Sequence, residues 1–497
     1  MRRGSVARFS TAFVLAGSML SGCAIGPNYE RPADLPDAPA FRGEMEAAEK
    51  SFVEELPWWE IFGDPALVDL TGEAISNNRD LAVAVARVES ARNIVGTTRA
   101  ELFPQLGYSG EAGHGETSEN YGTKGSSRDF FLGALDLAWE IDIWGRIRRS
   151  TQAARAEYLA SEAFARGVRL SLIAGVASAY FELRELDREL EIAIRTAASF
   201  KRSQDLFQRQ FEGGAGARLA VERATGAYEQ TAASIPELEA RIVAKENELS
   251  VLLGRPAGEI PRGTSLSEQQ QPPVVPAGIP ATLLERRPDL VEAEQFLVAA
   301  NARVGESIAN FLPRIGLTTF FGRQSNELGE FLDGSSRAWS VAGALSGPIF
   351  QGGRLWSLFQ ASKAERDAAT QNYDQRVLVA LREVSDALVA WDRLAVARES
   401  QARSVAAYEE AVRLAFVRFW GGLASYFEVL EAQNLLFPAE NRLAQIELAR
   451  LRALVQLYKA LGGGWSLDQV PGAESSPTLP TPSAPEPAAS PDPEPAS

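Results

Sequence analysis

Cysteine and histidine are all but missing from this chain: Cys23 and His114 are the sole examples in 497 residues. A single cysteine forms no intrachain disulfide, and one thiol with one imidazole cannot build a zinc cluster. His114 has no serine, cysteine or ligand company that suggests catalysis, so no enzyme is expected. Long apolar runs are missing too. Beyond the amino terminus no segment offers the roughly 20 apolar residues a membrane helix needs, so any crossing of a membrane must be made by strands. No glycine run ends in Gly-Lys-Ser or Gly-Lys-Thr, which leaves no loop to cradle ATP and makes any transport passive. Basic residues are outnumbered by acidic ones, 50 to 65, and the net charge of −15 disfavours a nucleic-acid partner.

What is present begins at the amino terminus. Arg2, Arg3 and Arg8 precede the apolar run Phe9 to Leu20, too short to span a bilayer but right for a signal-peptide core. Leu20-Ser21-Gly22-Cys23 resembles a bacterial lipobox. That resemblance implies diacylglycerol on the Cys23 sulfur, cleavage before it, and acylation of the new amino terminus; Ala24 behind it favours the outer membrane. A buried methylene contributes about 0.8 kcal/mol, so three acyl chains anchor far more firmly than one. Removing 1–22 would shift the net charge to −18, because three arginines and no acids leave with it. At the other end, 471–497 is rich in proline, serine and acid, and is expected to be a disordered tail.

Between these ends the chain repeats itself at a shift of 208 or 209 residues. Asp80-Leu81 returns as Asp289-Leu290, Gly145-Arg146-Ile147 as Gly353-Arg354-Leu355, Gly213-Gly214 as Gly421-Gly422, and Leu253-Gly254 as Leu461-Gly462. A tandem duplication is expected. Its parts are a lipidated segment 23–64, a first repeat 65–262, a proline- and glutamine-rich linker 263–280 and a second repeat 281–470. From Gly145 to Phe211, and again from about Leu355 to Phe419, the residues are mostly good helix formers without proline, and apolar positions recur at helical spacing. Sixty-odd residues would give a helix of roughly 100 Å, far longer than a compact domain needs. Such helices suggest laterally packed coiled coils; breaks at Gly167 or Gly175 are the plainer alternative.

In 135–143, Leu135, Leu137, Trp139, Ile141 and Ile143 alternate with Asp136, Ala138, Glu140 and Asp142. One apolar and one acidic face over about ten residues fit a membrane β-barrel strand with lipid outside and water inside. Partner strands are expected at 105–115, 314–323 and 337–346, although a soluble antiparallel sheet would show the same period. Four strands cannot close a barrel, since known ones begin near eight. Several chains must therefore contribute to one barrel.

An ordered set of short motifs then spans 23–465: Ile25-Gly26-Pro27-Asn28-Tyr29, Trp58-Trp59 with Phe62-Gly63-Asp64-Pro65-Ala66-Leu67, Arg286-Arg287-Pro288-Asp289-Leu290, Gly347-Pro348-Ile349-Phe350, and Leu461-Gly462-Gly463-Gly464-Trp465. The set resembles the TolC-like outer-membrane efflux channels, in the lipoprotein branch typified by OprM and NodT. The resemblance implies a mainly α fold with a small membrane β portion. It implies a homotrimer in which each chain gives four strands to one barrel and its helices to a long periplasmic α-helical barrel. Its implied partners are a periplasmic adaptor and an inner-membrane pump of the resistance-nodulation-division type, exporting small toxic compounds. No cofactor is implied beyond the covalent lipid on Cys23. A type I polypeptide-secretion duct remains a second reading, and a lipid-anchored coiled-coil tether a third.

The resemblance also implies a gate where the helices converge. Matching the motif around the second glycine pair puts Phe419 at an aromatic support, Leu423 and Phe427 at apolar gate positions and Glu431 at an acidic one. Asn434 stands where relatives carry an arginine. By the repeat, Leu219 corresponds to Phe427 and Arg223 to Glu431, which suggests an Arg223–Glu431 pair; both could equally face solvent. Gly213, Gly214, Gly421 and Gly422 would be adaptor-contacting tips, and are also plain helix ends needing a left-handed residue.

Overall fold

A computed structural model describes residues 24–32, 62–116, 127–269 and 286–463. Cys23, Trp58, Trp59, most of the expected linker and the 471–497 tail lie outside the described residues. The chain runs through α1 (Pro65–Asn77), α2 (Arg79–Ala100), β1 (Gln105–Glu116), β2 (Ser127–Ile141), α3 (Arg146–Glu212) and α4 (Arg218–Leu252). It continues through α5 (Pro288–Ala309), β3 (Arg314–Ser325), β4 (Arg337–Ser346), α6 (Arg354–Trp420) and α7 (Tyr426–Ala460). No described helix is long and apolar enough to cross a membrane.

Equal lengths recur between the halves. α3 and α6 have 67 residues each, α4 and α7 have 35, and α2 and α5 have 22. Neither Gly167 nor Gly175 breaks α3, because the alanine-rich turns around them keep the ladder running. Both long helices start after a glycine with positive φ, Gly145 at 80° and Gly353 at 84°. The left-handed turn these glycines permit swings each chain from strand into helix.

The four strands form one antiparallel sheet in the order β1-β2-β3-β4. β1 follows α2, β2 leads into α3, β3 follows α5 and β4 leads into α6, and the helices pack side by side in that same order. Sheet and helices are thus two tiers of one array with free edges at the same ends. α3 is the most enclosed helix, contacting α1, α2, α4, α5 and α7, whereas α6 packs mainly against α5 and α7. The core lies at mid-height, where Phe62, Leu67, Tyr180, Phe181, Leu249, Leu454 and Tyr458 are buried together. Closer to the sheet, Ala153 and Ala156 of α3 meet Ala299 and Ala302 of α5, small residues that let the helices approach.

Two end-to-end junctions extend the short helices. Asn78 caps α2 by accepting from Leu81 N and donates its amide to Leu252 O at the end of α4, 2.9 Å in both cases. In the second half Arg287, at the start of α5, donates to Ala460 O at the end of α7 at 2.8 Å. Carbonyls left over at one helix end are thereby satisfied by the start of the next.

The first residues of the segment read as a linker are bound into this body. Asp64 is fully buried and accepts from Tyr180 OH, Thr264 N and Gln269 Nε2 as well as capping α1. A buried carboxylate needs several donors, and residues 264 and 269 supply two of them.

Candidate functional site

Register divides the sheet into two faces. Leu106, Tyr108, Leu135, Leu137, Trp139, Ile141, Ile315, Leu317, Phe321, Trp339, Val341 and Leu345 share one, because directly paired residues point the same way. The opposite face carries Gln105, Gly107, Ser109, Glu111, Asp136, Glu140, Thr318, Ser340 and Ser346. It holds mostly small and polar side chains, with Phe130, Leu132 and Phe320 as large apolar exceptions. Gly107 leaves room there for the Asp136 carboxylate, which a Cβ would approach to 2.7 Å unless that side chain turned aside.

One acid expected on that wet face is elsewhere. β2 ends at Ile141, and Asp142 accepts from Ile147 N and Arg148 N at the start of α3, at 3.2 and 3.0 Å. The amides at a helix start attract a carboxylate, and this outweighs the strand alternation. Glu140 does lie on the more polar face but is tied to Arg146 at 2.9 and 3.1 Å. His114 lies in β1 with Nδ1 2.7 Å from the Asp129 carboxylate of its cross-strand partner.

At the other end of the molecule, α3 turns into α4 and α6 into α7. Gly213 and Gly421 close the long helices, and Gly214 and Gly422 follow, both at φ 73°. All four are exposed. The two turns are joined by one aromatic cluster: the Phe207 ring of α3 packs, tilted, against Tyr426 of α7 at 4.2 Å between ring centres, and Phe419 meets Tyr426 at 5.6 Å and Phe207 at 6.3 Å. Tyr426 is 8% exposed, and its burial raises its pKa. An Arg418–Glu428 pair at 3.3 Å also links α6 to α7.

The expected gate residues divide around that cluster. Phe419 is half-buried within it, whereas Leu219, Leu423 and Phe427 are exposed, Leu423 by 76%. Glu431 and Asn434 are exposed one and two turns beyond Phe427, so 427, 431 and 434 form a stripe on α7. Arg223 lies over the Phe427 ring, 5.5 Å from its centre. Within the described chain it makes this contact rather than an ion pair with Glu431, because the ring is the neighbour one helix away.

Comparison with known proteins identifies the family. A profile of the outer membrane efflux proteins matches residues 70–255 and again 279–463. The chain belongs to the outer membrane efflux protein family. A solvent efflux pump outer membrane protein, SrpC of Pseudomonas putida, is 35% identical over 93% of this chain and 100% of its own length. The cation efflux system protein CusC of Escherichia coli strain K12 is 33% identical over 90% of this chain and 97% of its own. Among solved structures, the outer-membrane channel OprN superposes with a TM-score of 0.80 at 32% identity, over 89% of this chain and all of that one. Family members of this kind are outer-membrane channels rather than enzymes.

The same region holds residues that sequence reasoning passed over. Tyr426 and Phe207 carry the tip cluster, yet Phe207 stands opposite Ala415 in the repeat, so self-comparison did not mark it. Arg149 is buried and gathers the amino-terminal segment: its guanidinium donates to the carbonyls of Ala24, Ile25 and Gly26 and to Asn28 Oδ1, all within 3.2 Å. Ile25 N donates in turn to Trp144 O at 3.1 Å. Further along, Arg31 forks onto Glu294 of α5 at 2.7 and 2.8 Å. The segment next to Cys23 is thereby pinned where β2 enters α3.

Proposed function

We propose that this efflux-family member is the outer-membrane exit channel of a tripartite pump, built by three copies of the chain. The observation that carries the reading is the two-tier array: a four-stranded sheet with one apolar face and two unpaired edges, continued strand by strand into long helices with free flanks on the same sides. An open apolar sheet of four strands is unstable in water and too small to close alone. Copies joined edge to edge remove both faults. Exposed apolar side chains on the flanking helices, Val83 and Val85 of α2 and Leu378 and Val396 of α6, support the same packing. The matching lengths of the two halves support an origin by tandem duplication.

The apolar face then meets lipid, the polar face lines water, and helices of roughly 100 Å carry the conduit through the periplasm. An adaptor and a pump of the resistance-nodulation-division type supply the energy, and the cargo is a small toxic compound. Cys23 carries the lipid anchor of the OprM/NodT branch, a reading supported by the pinned segment beside it. Leu423, Phe427 and Leu219 form the apolar constriction, Phe419 braces it, and Gly213, Gly214, Gly421 and Gly422 meet the adaptor. Arg223 of one copy faces Glu431 of the next when the tip is closed. An exposed pair contributes only about 0–1 kcal/mol, but it acts once per copy.

Planar-bilayer recording of the purified full chain tests both levels. Discrete ion steps are expected, and Arg223→Ala should raise the open fraction. A tether would give no steps, and unchanged gating in the variant would remove the pair from the gate.

A further inference from the structure

The apolar face of the sheet changes character at one level near its loop end. Along β3 it reads Ile315, Leu317, Thr319, Phe321 and then Arg323; along β4 it reads Leu345, Gly343, Val341, Trp339 and then Arg337. Arg323 and Arg337 are directly opposite partners. Like charges at opposed positions on one face repel, so this pair is unfavourable unless an anion sits against it.

The described residues do not supply that anion. Arg323 Nη1 donates to the backbone carbonyls of Phe331 and Asp333, at 3.3 and 2.7 Å, which orients its guanidinium without neutralising it. Among the described residues neither arginine forms an ion pair with a carboxylate, although Glu327, Glu330 and Asp333 all lie in the adjoining connection. Facing the same way on β1 and β2 are His114 and Asp129, which are paired with each other, and Glu116, beyond His114 on the far edge strand of the sheet.

The surroundings are those of a lipid boundary. Trp339, one step below Arg337, is exposed, as are Leu328 and Leu332 in the β3–β4 connection. That connection folds over the apolar face: a Cβ on Gly133 would lie 3.0 Å from the Phe331 ring. From Ile315 to Arg323 the strand rises about 26 Å, or about 20 Å along a barrel axis at the usual tilt, close to the full height of an outer-membrane apolar band. Two guanidiniums at that height stand at headgroup level, on the side away from the helices. A planar guanidinium binds a phosphate through two parallel hydrogen bonds, and two of them side by side suit a doubly charged phosphate monoester.

We propose that Arg323 and Arg337 form a binding site for the phosphate ester of an outer-leaflet lipid headgroup, with Trp339, Leu328 and Leu332 against its acyl chains. The inference rests on the reading that the apolar face meets lipid. The test uses the full chain in detergent, titrated with bis-phosphorylated lipid A, with its dephosphorylated form and with inorganic phosphate, bound lipid being counted by native mass spectrometry. Each arginine near an anionic surface contributes about 1 kcal/mol, so R323Q/R337Q should weaken lipid A binding roughly tenfold or more. Dephosphorylated lipid should bind the wild type no better than the variant, and millimolar inorganic phosphate should not displace lipid A. Equal lipid A binding by the two proteins overturns the site, as does displacement by free phosphate. Insertion of both proteins into neutral phosphatidylcholine vesicles, read by conductance, separates the two levels. If they insert and conduct but show no phosphate preference, the lipid site falls alone. If the wild type does not insert, the membrane reading falls and takes the site with it.

Discussion

Single residues decide what the long helices can tolerate. Glu185 of α3 is buried and hydrogen-bonded to Glu189, which also meets Arg241 of α4 at 3.3 Å and Gln445 of α7 at 3.2 Å. Burial first, and then the neighbouring Glu189 carboxyl, push the Glu185 pKa from 4.5 up to about 8. The folded chain therefore holds a proton that the unfolded chain releases. This group's contribution to stability is full below pH 4.5 and declines as pH rises through about 8. Glu185→Gln should flatten the fall in melting temperature across that window and stabilise the chain at its upper end, by roughly 1–3 kcal/mol. Calorimetry of both proteins at several pH values checks this; parallel curves would contradict it. Nothing in the sequence marks Glu185 among its acidic neighbours, because its burial is created by α4 and α7 from far along the chain.

Elements were easier to read than residues. The proline-free stretches foretold α3 and α6 to within a residue or two, since alanine, leucine, glutamate and arginine favour helix whatever surrounds them. Three of the four strands matched their expected ranges closely, whereas β2, the strand read from its alternation, began earlier at Ser127 and stopped sooner at Ile141, the latter because Asp142 serves the helix after it. The tips follow from glycine alone. Gly422 needs positive φ, while Gly421 beside it has φ of −76°. Gly422→Ala should weaken the α6–α7 turn by about 1–2 kcal/mol, and Gly421→Ala by far less. Hydrogen exchange at the Leu423 amide, which donates to Arg418 O across the turn, reads the difference. Equal protection loss in both variants would show that the left-handed turn is not what holds the tip.

At the scale of the whole molecule, the proposed barrel sets the two sheet faces against different solvents. Val341 and Ala342 are neighbours on β4 that face opposite ways. An arginine facing lipid near mid-membrane costs about 2–4 kcal/mol, whereas a lumenal one is hydrated. Val341→Arg should therefore cut insertion into vesicles sharply and Ala342→Arg should leave it near wild type, with changed ion selectivity. If both variants inserted alike, the apolar face would not be the lipid face. Sheet and helices share one lateral order, so a fault at a strand edge should also loosen the helical tier beneath it.

Local sequence encodes the repertoire of parts: the long helices, the two-faced strands, the glycine turns, the paired landmarks and the lipobox-like start. Each depends on residues within a few positions of one another, where periodicity and backbone preference suffice. Packing of the folded chain sets which faces align across β1 to β4, how α4 abuts α2 and α7 abuts α5, and that Arg149 holds Ala24 to Asn28. It also set Arg323 against Arg337 and Arg223 over Phe427 rather than beside Glu431. Those outcomes join groups distant in sequence, and a contact between them depends on the register and approach of whole elements, which no local pattern encodes.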